Sequence, residues 1–202
     1  MKITKYDIFD AIFYLCFIAL FFFAASSLFS CTKNVVTEAQ ASKPVSAGLA
    51  WGDSHKEWDN YLLEATAKSG LKEVKTPCKI LNKTSCMAQL ISIMAKYESS
   101  FDTNAKYTEG FQDSNGKDVI SRGLLQLSVE SGNQQAYGCG VNEKSLHDPK
   151  TNLECAVKIV TYQANKSGSL INGERAGCSA YFSVCRKSSK SYGKIMKYME
   201  AY

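Results

Sequence analysis

This 202-residue chain has only two histidines and lacks the cysteine spacing of zinc sites. The two histidines, His55 and His147, do not flank cysteines, and no Cys-x-x-Cys occurs. Structural and catalytic zinc sites depend on such spacing, so the sequence excludes a zinc-finger type of protein and we expect no bound metal. No residue pattern indicates a cofactor either.

Strand-like alternation is scarce outside residues 102–120, which argues against an all-β domain, and no internal repeat is visible, which argues against a solenoid. Apolar residues instead recur at helical spacing, and we predict helices over 54–68, up to Glu98, after Asp148-Pro149, and over 174–185 and 189–201. Residues 102–120 are polar, and Asn115-Gly116 is a strong turn signal. The expected fold is therefore mainly α with a small loop or hairpin.

The first part of the chain resembles an export signal. Lys2 and Lys5 precede an almost wholly apolar run over 11–30. An uncleaved membrane anchor is the alternative, because the run approaches the ~20 residues that span a bilayer. Leu28-Phe29-Ser30-Cys31 resembles the lipobox of bacterial lipoproteins, which implies cleavage before Cys31 and lipidation of that cysteine.

Three segments follow from this organisation: a lipoprotein-type signal over 1–30, a flexible tether over 31–50, and a folded domain over 51–202. Export agrees with an even number of cysteines in the folded part. Six cysteines allow 15 pairings, of which we expect the local one. The expected pairs are Cys78 with Cys86, Cys139 with Cys155, and Cys178 with Cys185.

The chain carries a net charge of +5, and much of it falls in one late stretch. Its members are Arg186, Lys187, Lys190, Lys194 and Lys197. Aromatic residues do not interleave with these cations in the way that grips single strands, so we expect no nucleic-acid partner. An exported domain meets the polyanionic envelope first, and we interpret the stretch as a solvated or envelope-facing helix surface.

Glu98 is the strongest candidate for a catalytic residue. It ends a long apolar run and has Met94, Tyr97 and Phe101 as neighbours in sequence. Apolar surroundings and the negative end of a helix dipole both raise the pKa of a carboxyl group. A carboxyl with a raised pKa can protonate the leaving oxygen of a glycosidic bond near neutral pH.

Four short motifs follow in order: Glu98-Ser99, Gly123-Leu124-Leu125-Gln126, Asn152-Leu153 and Ala180-Tyr181. Together they resemble the family of soluble lytic transglycosylases and goose-type lysozymes, over roughly residues 86–184. That family has Glu-Ser at a helix end, then Gly-Leu-Met-Gln, Asn-Ile/Leu and Ala-Tyr-Asn. The chain departs from it at Phe182, which takes the place of the last asparagine.

The resemblance implies a lysozyme-like helical fold with a catalytic cleft and assigns roles to several residues. Glu98 is the expected catalytic acid and later base. The expected substrate contacts are Ser99, Ser121, Gly123, Gln126 and Tyr181, with Gly123 allowing close approach of a sugar. The implied partners are peptidoglycan glycan strands, with the membrane reached through a lipid anchor or the N-terminal helix, and we expect a monomer in the periplasm or cell envelope.

The second half of the reaction stays open at this point. A lytic transglycosylase needs one carboxylate, because the muramyl 6-hydroxyl attacks C1 and a 1,6-anhydro product leaves. A lysozyme-type hydrolase needs a second carboxylate, for which the candidates are Asp102, Glu109, Asp113 and Asp118. A glycan-binding module without turnover is disfavoured by Glu98 itself, and a cysteine hydrolase using His147 by the disulfide interpretation.

Overall fold

The computed structural model describes residues 48–202. The predicted signal, Cys31 and nearly all of the predicted tether lie outside these residues. Leu49 is 6% exposed, and the Ala50 backbone N–H donates to Ser92 Oγ at 3.1 Å. The packed domain thus includes residues that we assigned to the tether. Between residues 48 and 202, no helix is both long and apolar enough to cross a bilayer.

The described part is mainly helical, as predicted, with one two-stranded antiparallel sheet. The helices are α1 (Lys56–Ala67), α2 (Lys83–Ser99), α3 (Val129–Gly132), α4 (Pro149–Ser167) and α5 (Tyr192–Met199). The strands are β1 (Lys106–Gln112) and β2 (Asp118–Arg122). Single 3-10 turns cover Gly52–His55, Ser145–His147, Cys178–Ala180 and Ser183–Cys185.

Helix α2 is the central element of the domain. Ten consecutive residues from Cys86 to Ala95 are buried, which is expected for a helix with partners on every side. It contacts α1, α4 and α5. Its N-cap is Asn82, whose side chain accepts the Ser85 N–H at 2.9 Å. The predicted end near Glu98 is confirmed.

Helix α4 begins as the sequence indicates. The Asp148 side chain accepts the Thr151 N–H at 2.8 Å, and Pro149 takes the first helical position. The predicted helix over 174–185 is wrong, because the backbone there forms two short 3-10 turns. Gly177 explains part of this: its φ is +58°, and an added Cβ would lie 2.5 Å from the Leu170 carbonyl oxygen.

Strands β1 and β2 form the small hairpin between α2 and α3. Tyr107 lies opposite Ser121, and Gln112 lies opposite Asp118. An irregularity between Thr108 and Gln112 shifts the register, so β1 carries a bulge. Asn115-Gly116 lies in the connecting turn, as predicted, with Gly116 at φ +74°.

Two of the three expected disulfides are present, Cys78–Cys86 and Cys139–Cys155. The third pairing is wrong: Cys178 and Cys185 are free, buried thiols. Burial is the largest of the causes that raise the pKa of Cys185 well above its ordinary value. Contact with the Cys178 thiol adds to this rise, so the two thiols lie next to each other without a bond between the sulfurs.

Candidate active site

Glu98 stands in the last turn of α2, where the chain leaves the buried core. The helix ends at Ser99, and Ser100 takes the left-handed conformation, with φ +57°, that closes it. Part of Glu98 faces the cleft, but its carboxyl group is largely enclosed by protein. Burial, followed by the negative charge of Glu109, raises the pKa of Glu98 to about 8. The carboxyl therefore carries its proton at neutral pH.

A cleft of about 400 Å³ opens beside this carboxyl. The hairpin forms one part of its lining, and the Gln126 turn, α3 and the 3-10 turns after Gly177 form the rest. Its lining residues are Glu98, Glu109, Phe111, Val119, Ser121, Gln126, Ser128, Ser131, Gln134, Ala180, Tyr181, Phe182, Ser183 and Arg186. Four of the six residues predicted for catalysis and substrate contact are among them: Glu98, Ser121, Gln126 and Tyr181.

The hairpin brings a second carboxylate into the cleft. Ser121 on β2 is 5% exposed, and its hydroxyl donates to Glu109 Oε1 on β1 at 2.5 Å. The cross-strand arrangement of β1 and β2 makes this contact possible and orients Glu109. The negative charge of Glu109 is felt at Glu98, where it adds to the effect of burial on the pKa.

The other three candidate carboxylates lie outside the cleft lining and serve local structure. Asp102 accepts the Asn104 N–H at 2.8 Å in the turn after α2. Asp113 accepts the backbone N–H groups of the hairpin turn, which hold the pKa of its carboxyl below the ordinary value. Asp118 accepts from the Gln112 side chain at 3.2 Å. Of the four candidate carboxylates, Glu109 is therefore the one that lines the cleft.

Asn152 on α4 braces the Gly-Leu-Leu-Gln segment from behind. Its side-chain oxygen accepts the Leu125 N–H at 2.9 Å, and its amide nitrogen donates to the Arg122 and Leu146 carbonyls. Gly123 has φ +71°, and an added Cβ would lie 2.1 Å from the Leu146 oxygen. The need for glycine at 123 thus arises inside the protein, and Gly123 is not among the cleft-lining residues.

Gln126 and Ser99 both use hydrogen-bonding groups within their own segments. Gln126 lines the cleft with φ +46°, and its side-chain amide donates to the Gly123 carbonyl at 2.9 Å, which leaves the amide oxygen for other contacts. The Ser99 hydroxyl donates to the Ala95 carbonyl of α2 at 3.2 Å. Ser99 is therefore a helix-end residue in this structure and does not line the cleft.

Tyr181 lines the cleft from the segment between two 3-10 turns. Burial raises the pKa of its hydroxyl to about 12, and hydrogen bonds to the Ser131 side chain and the Ser128 backbone counteract this. A negative charge on Glu98 would also raise the pKa of Tyr181, which shows that the two side chains lie near each other. The phenol stays protonated across the physiological pH range and can act as a hydrogen-bond donor.

Phe111 and Arg186 are two of the cleft-lining residues that the sequence analysis did not single out. Phe111 is 60% exposed and lies on the hairpin; an exposed aromatic residue in a polar strand was the available signal. Arg186 was grouped with the basic stretch and gave no signal of its own. Arg122, the neighbour of Ser121 in the sequence, is buried and pairs with Glu143 at 2.9 Å.

No cluster of three or more potential metal-ligating side chains occurs among residues 48–202. A helical domain with a small hairpin and a cleft beside an enclosed glutamic acid has the architecture of a lysozyme-like protein.

Comparison with known proteins agrees with this class and narrows it. A family model described as "Transglycosylase SLT domain" matches residues 77–181. The chain belongs to this family of peptidoglycan-cleaving lytic transglycosylases, whose substrates are the glycan strands of peptidoglycan. Because peptidoglycan lies outside the cytoplasm, so does the place where the domain acts.

Solved structures of a protein called Bd0314 DslA are similar to this chain. The wild-type form 2 is 35% identical, with a TM-score of 0.68, and the match covers 75% of this chain and 94% of that one. Two further structures, each of a variant with one glutamate replaced by glutamine, are also 35% identical, with TM-scores of 0.66 and coverage of 77% and 93%. No curated protein matches the chain.

Proposed function

We propose that Glu98 is the general acid and base that cleaves the β-1,4 bond between N-acetylmuramic acid and N-acetylglucosamine. The observation that carries the proposal is the enclosed Glu98 carboxyl in the cleft, with its pKa raised to about 8. In the first step Glu98 gives its proton to the glycosidic oxygen while the bond from that oxygen to C1 breaks. The departing sugar leaves with a free 4-hydroxyl.

In the second step the muramyl 6-hydroxyl attacks C1 of the same sugar. The Glu98 carboxylate formed in the first step accepts the hydroxyl proton, and the new O6–C1 bond closes a 1,6-anhydro ring. Glu98 is thereby returned to its acid form without water. The Glu109 carboxylate lines the same cleft and would stabilise the positive charge that develops at C1.

A lysozyme-type hydrolase is the second candidate, and Glu109 is the observation that favours it. In this route Glu109 activates a water or attacks C1, and the product gains a reducing end. The two substituted glutamates of DslA are eleven residues apart (154 − 143), as are Glu98 and Glu109 (109 − 98). This equal spacing supports equivalent roles for the two pairs.

We assign the remaining cleft residues to substrate contact and positioning. Gln126 presents its amide oxygen to the sugar, and Tyr181 donates a hydrogen bond near the Glu98 carboxyl. Ser121 acts through Glu109, whose carboxylate it orients. Phe111 offers an exposed aromatic face on which a sugar ring packs.

The products of a peptidoglycan digest test the proposal and separate the two routes. The full chain, solubilised in mild detergent, is incubated with purified peptidoglycan, and the fragments are weighed by mass spectrometry. Fragments ending in 1,6-anhydromuramic acid support transglycosylation, and fragments one water heavier support hydrolysis. The Glu98→Gln variant should give no fragments and keep its circular dichroism spectrum.

Two further variants sharpen this digest. Glu109→Gln should stop a hydrolase, whereas it should slow a transglycosylase and leave anhydro products. Glu200→Gln makes the same chemical change at an exposed position outside the cleft and should leave the digest unaltered. Full activity in Glu98→Gln would refute the assignment of the acid.

We also propose that the protein is an exported, monomeric lipoprotein attached to a membrane through Cys31, with retention of the apolar segment 11–30 as the alternative anchor. The support is the sequence pattern of residues 28–31 and the extracytoplasmic substrate of the family. Mass spectrometry of the mature N-terminus separates these outcomes: a lipidated Cys31 supports the first, and an intact Met1 the second.

A further inference from the structure

Among residues 48–202, Arg186 is the one cationic side chain that lines the cleft. It follows the 3-10 turn Ser183–Cys185 and is half-buried. Its Nε donates to the Ser179 carbonyl at 3.1 Å, and its Nη2 donates to the Tyr181 carbonyl at 3.4 Å. Two fixed backbone acceptors therefore orient the guanidinium within the site before substrate arrives.

This guanidinium has no carboxylate partner within 4 Å among residues 48–202, in contrast to Arg122, which pairs with Glu143. The two glutamates of the cleft do not form an ion pair with it. A half-buried, pre-oriented guanidinium without a counter-ion is suited to an anionic ligand group, because it can form two parallel hydrogen bonds with a carboxylate.

The N-acetylated sugars of a glycan strand are uncharged where the muramyl lactyl group is bound to peptide as an amide. The carboxylates of such a strand then belong to its peptide stems. We propose that Arg186 binds a peptide-stem carboxylate, so that the cleft selects glycan strands with peptides that retain a free carboxylate. This inference rests on the proposed function of the cleft and names the part of the substrate that it distinguishes.

The test compares two forms of the same strands. Purified uncross-linked strands are acetylated at their peptide amines, and half of the material then has its carboxylates converted to methylamides. The full chain should cleave the free-carboxylate strands with the higher kcat/KM. Arg186→Gln should lower kcat/KM on those strands roughly tenfold or more, as expected for a lost hydrogen bond to a charged group, and leave the amidated strands unchanged.

The ratio of kcat/KM between the two substrates distinguishes carboxylate binding by Arg186 from a merely structural role. Loss of its bonds to the Ser179 and Tyr181 carbonyls would reduce the rates on both forms alike, and that result would overturn the inference. Arg186→Lys keeps the charge but not the fork, so it should retain part of the preference. Lys190→Gln removes an exposed charge from the same stretch outside the cleft and should change neither rate.

Strands stripped by an amidase expose a lactyl carboxylate and provide a further arm. A loss in Arg186→Gln confined to these strands would assign the subsite to the lactyl group and refute the peptide-stem assignment. The proposed function fails separately, because a wild type that cleaves no form refutes the enzyme mechanism. A wild type that cleaves both peptide-bearing forms equally refutes the Arg186 inference alone.

Discussion

Glu109 shares the cleft with Glu98, and its negative charge adds to burial in raising the pKa of Glu98 to about 8. The Ser121 hydroxyl fixes the Glu109 carboxylate through a hydrogen bond of 2.5 Å. The site thus contains two carboxyl groups, and the environment keeps one of them protonated. Such a pair can supply an acid together with a stabilising or activating base. The hairpin therefore contributes to the pKa of Glu98 through the charge of Glu109, and in the proposed mechanism it would affect catalysis in this way.

The pH dependence of turnover should follow Glu98. Because the acid form starts the reaction, kcat/KM should fall on the alkaline side with a midpoint near pH 8 in the free enzyme. Replacing Glu109 by Gln removes a negative charge that raises this pKa, so the alkaline limb should move to lower pH. Initial rates of strand cleavage across pH 5 to 10 measure both midpoints.

Asp118→Asn is the matched control for this prediction. It neutralises a carboxylate of the same hairpin that lies outside the cleft lining. Its alkaline limb should coincide with that of the wild type. An unshifted limb in Glu109→Gln would contradict the coupling, whatever happens to the height of the profile.

The free energy of unfolding should depend on pH in a direction that the raised pKa of Glu98 determines. The ordinary pKa of 4.5 applies to Glu98 in the unfolded chain, and about 8 applies in the folded protein. Between these values the folded state holds more protons, so rising pH should destabilise the wild type by up to about 1.4 kcal/mol per pH unit. Glu98→Gln lacks this group, so its stability should increase relative to that of the wild type as pH rises from 4.5 to 8.

Urea denaturation of both proteins at several pH values measures the difference. The difference in unfolding free energy should stay constant below pH 4.5, where Glu98 is protonated in both states. It should stop growing above pH 8, where Glu98 is ionised in both states. Taking the difference cancels the other titrating groups that the two proteins share. A difference that stays constant from pH 4 to pH 9 would show that the folded-state pKa of Glu98 is not raised.

The sequence predicted the backbone around Glu98 well because local signals determine it. A long apolar run marks α2, Asp148-Pro149 marks the start of α4, and Asn115-Gly116 marks the hairpin turn. The predicted late helix over 174–185 failed because Gly177 adopts a positive φ with no room for a side chain. Tight backbone packing of this kind leaves no periodic pattern in the sequence.

The composition of the cleft was harder to predict. Glu109 could not be separated from Asp102, Asp113 and Asp118, because strand pairing and the bulge in β1 decide which carboxylate reaches Glu98. Arg186 looked like one more cation of a basic stretch until the 3-10 turns placed it beside the site. These are long-range consequences of the fold, which residue type and spacing do not encode.

Phe111 should contribute to substrate binding more than to chemistry. Packing of a sugar on its ring removes roughly 60 Å² of apolar surface from water, which corresponds to about a tenfold change in affinity at ~25 cal/mol per Å². Phe111→Ala should therefore raise KM by about that factor and leave kcat close to the wild-type value. Steady-state kinetics on soluble glycan strands separate the two constants.

Tyr107 offers the matched control for the aromatic contact. It lies on the same strand and is 62% exposed, against 60% for Phe111, but it does not line the cleft. Tyr107→Ala should leave KM unchanged. Equal effects of the two substitutions would indicate a general disturbance of the hairpin and contradict a stacking role for Phe111.

Gly123 should be required for folding to a degree that an ordinary turn glycine is not. Gly116 also has a positive φ, +74°, but an added Cβ there meets nothing within 4 Å. Gly116→Ala should therefore cost about 1–2 kcal/mol of unfolding free energy from backbone strain. Gly123→Ala adds a clash with the Leu146 oxygen at 2.1 Å and with the Asn152 amide at 2.5 Å.

We expect Gly123→Ala to destabilise the protein by about 4 kcal/mol or more, the range of buried steric conflicts. Activity should fall with it, because Asn152 holds the turn that carries Gln126 into the cleft. Thermal and urea unfolding of the two alanine variants measure the difference. If Gly123→Ala were as stable as Gly116→Ala but inactive, the glycine would instead be required by the approach of a sugar.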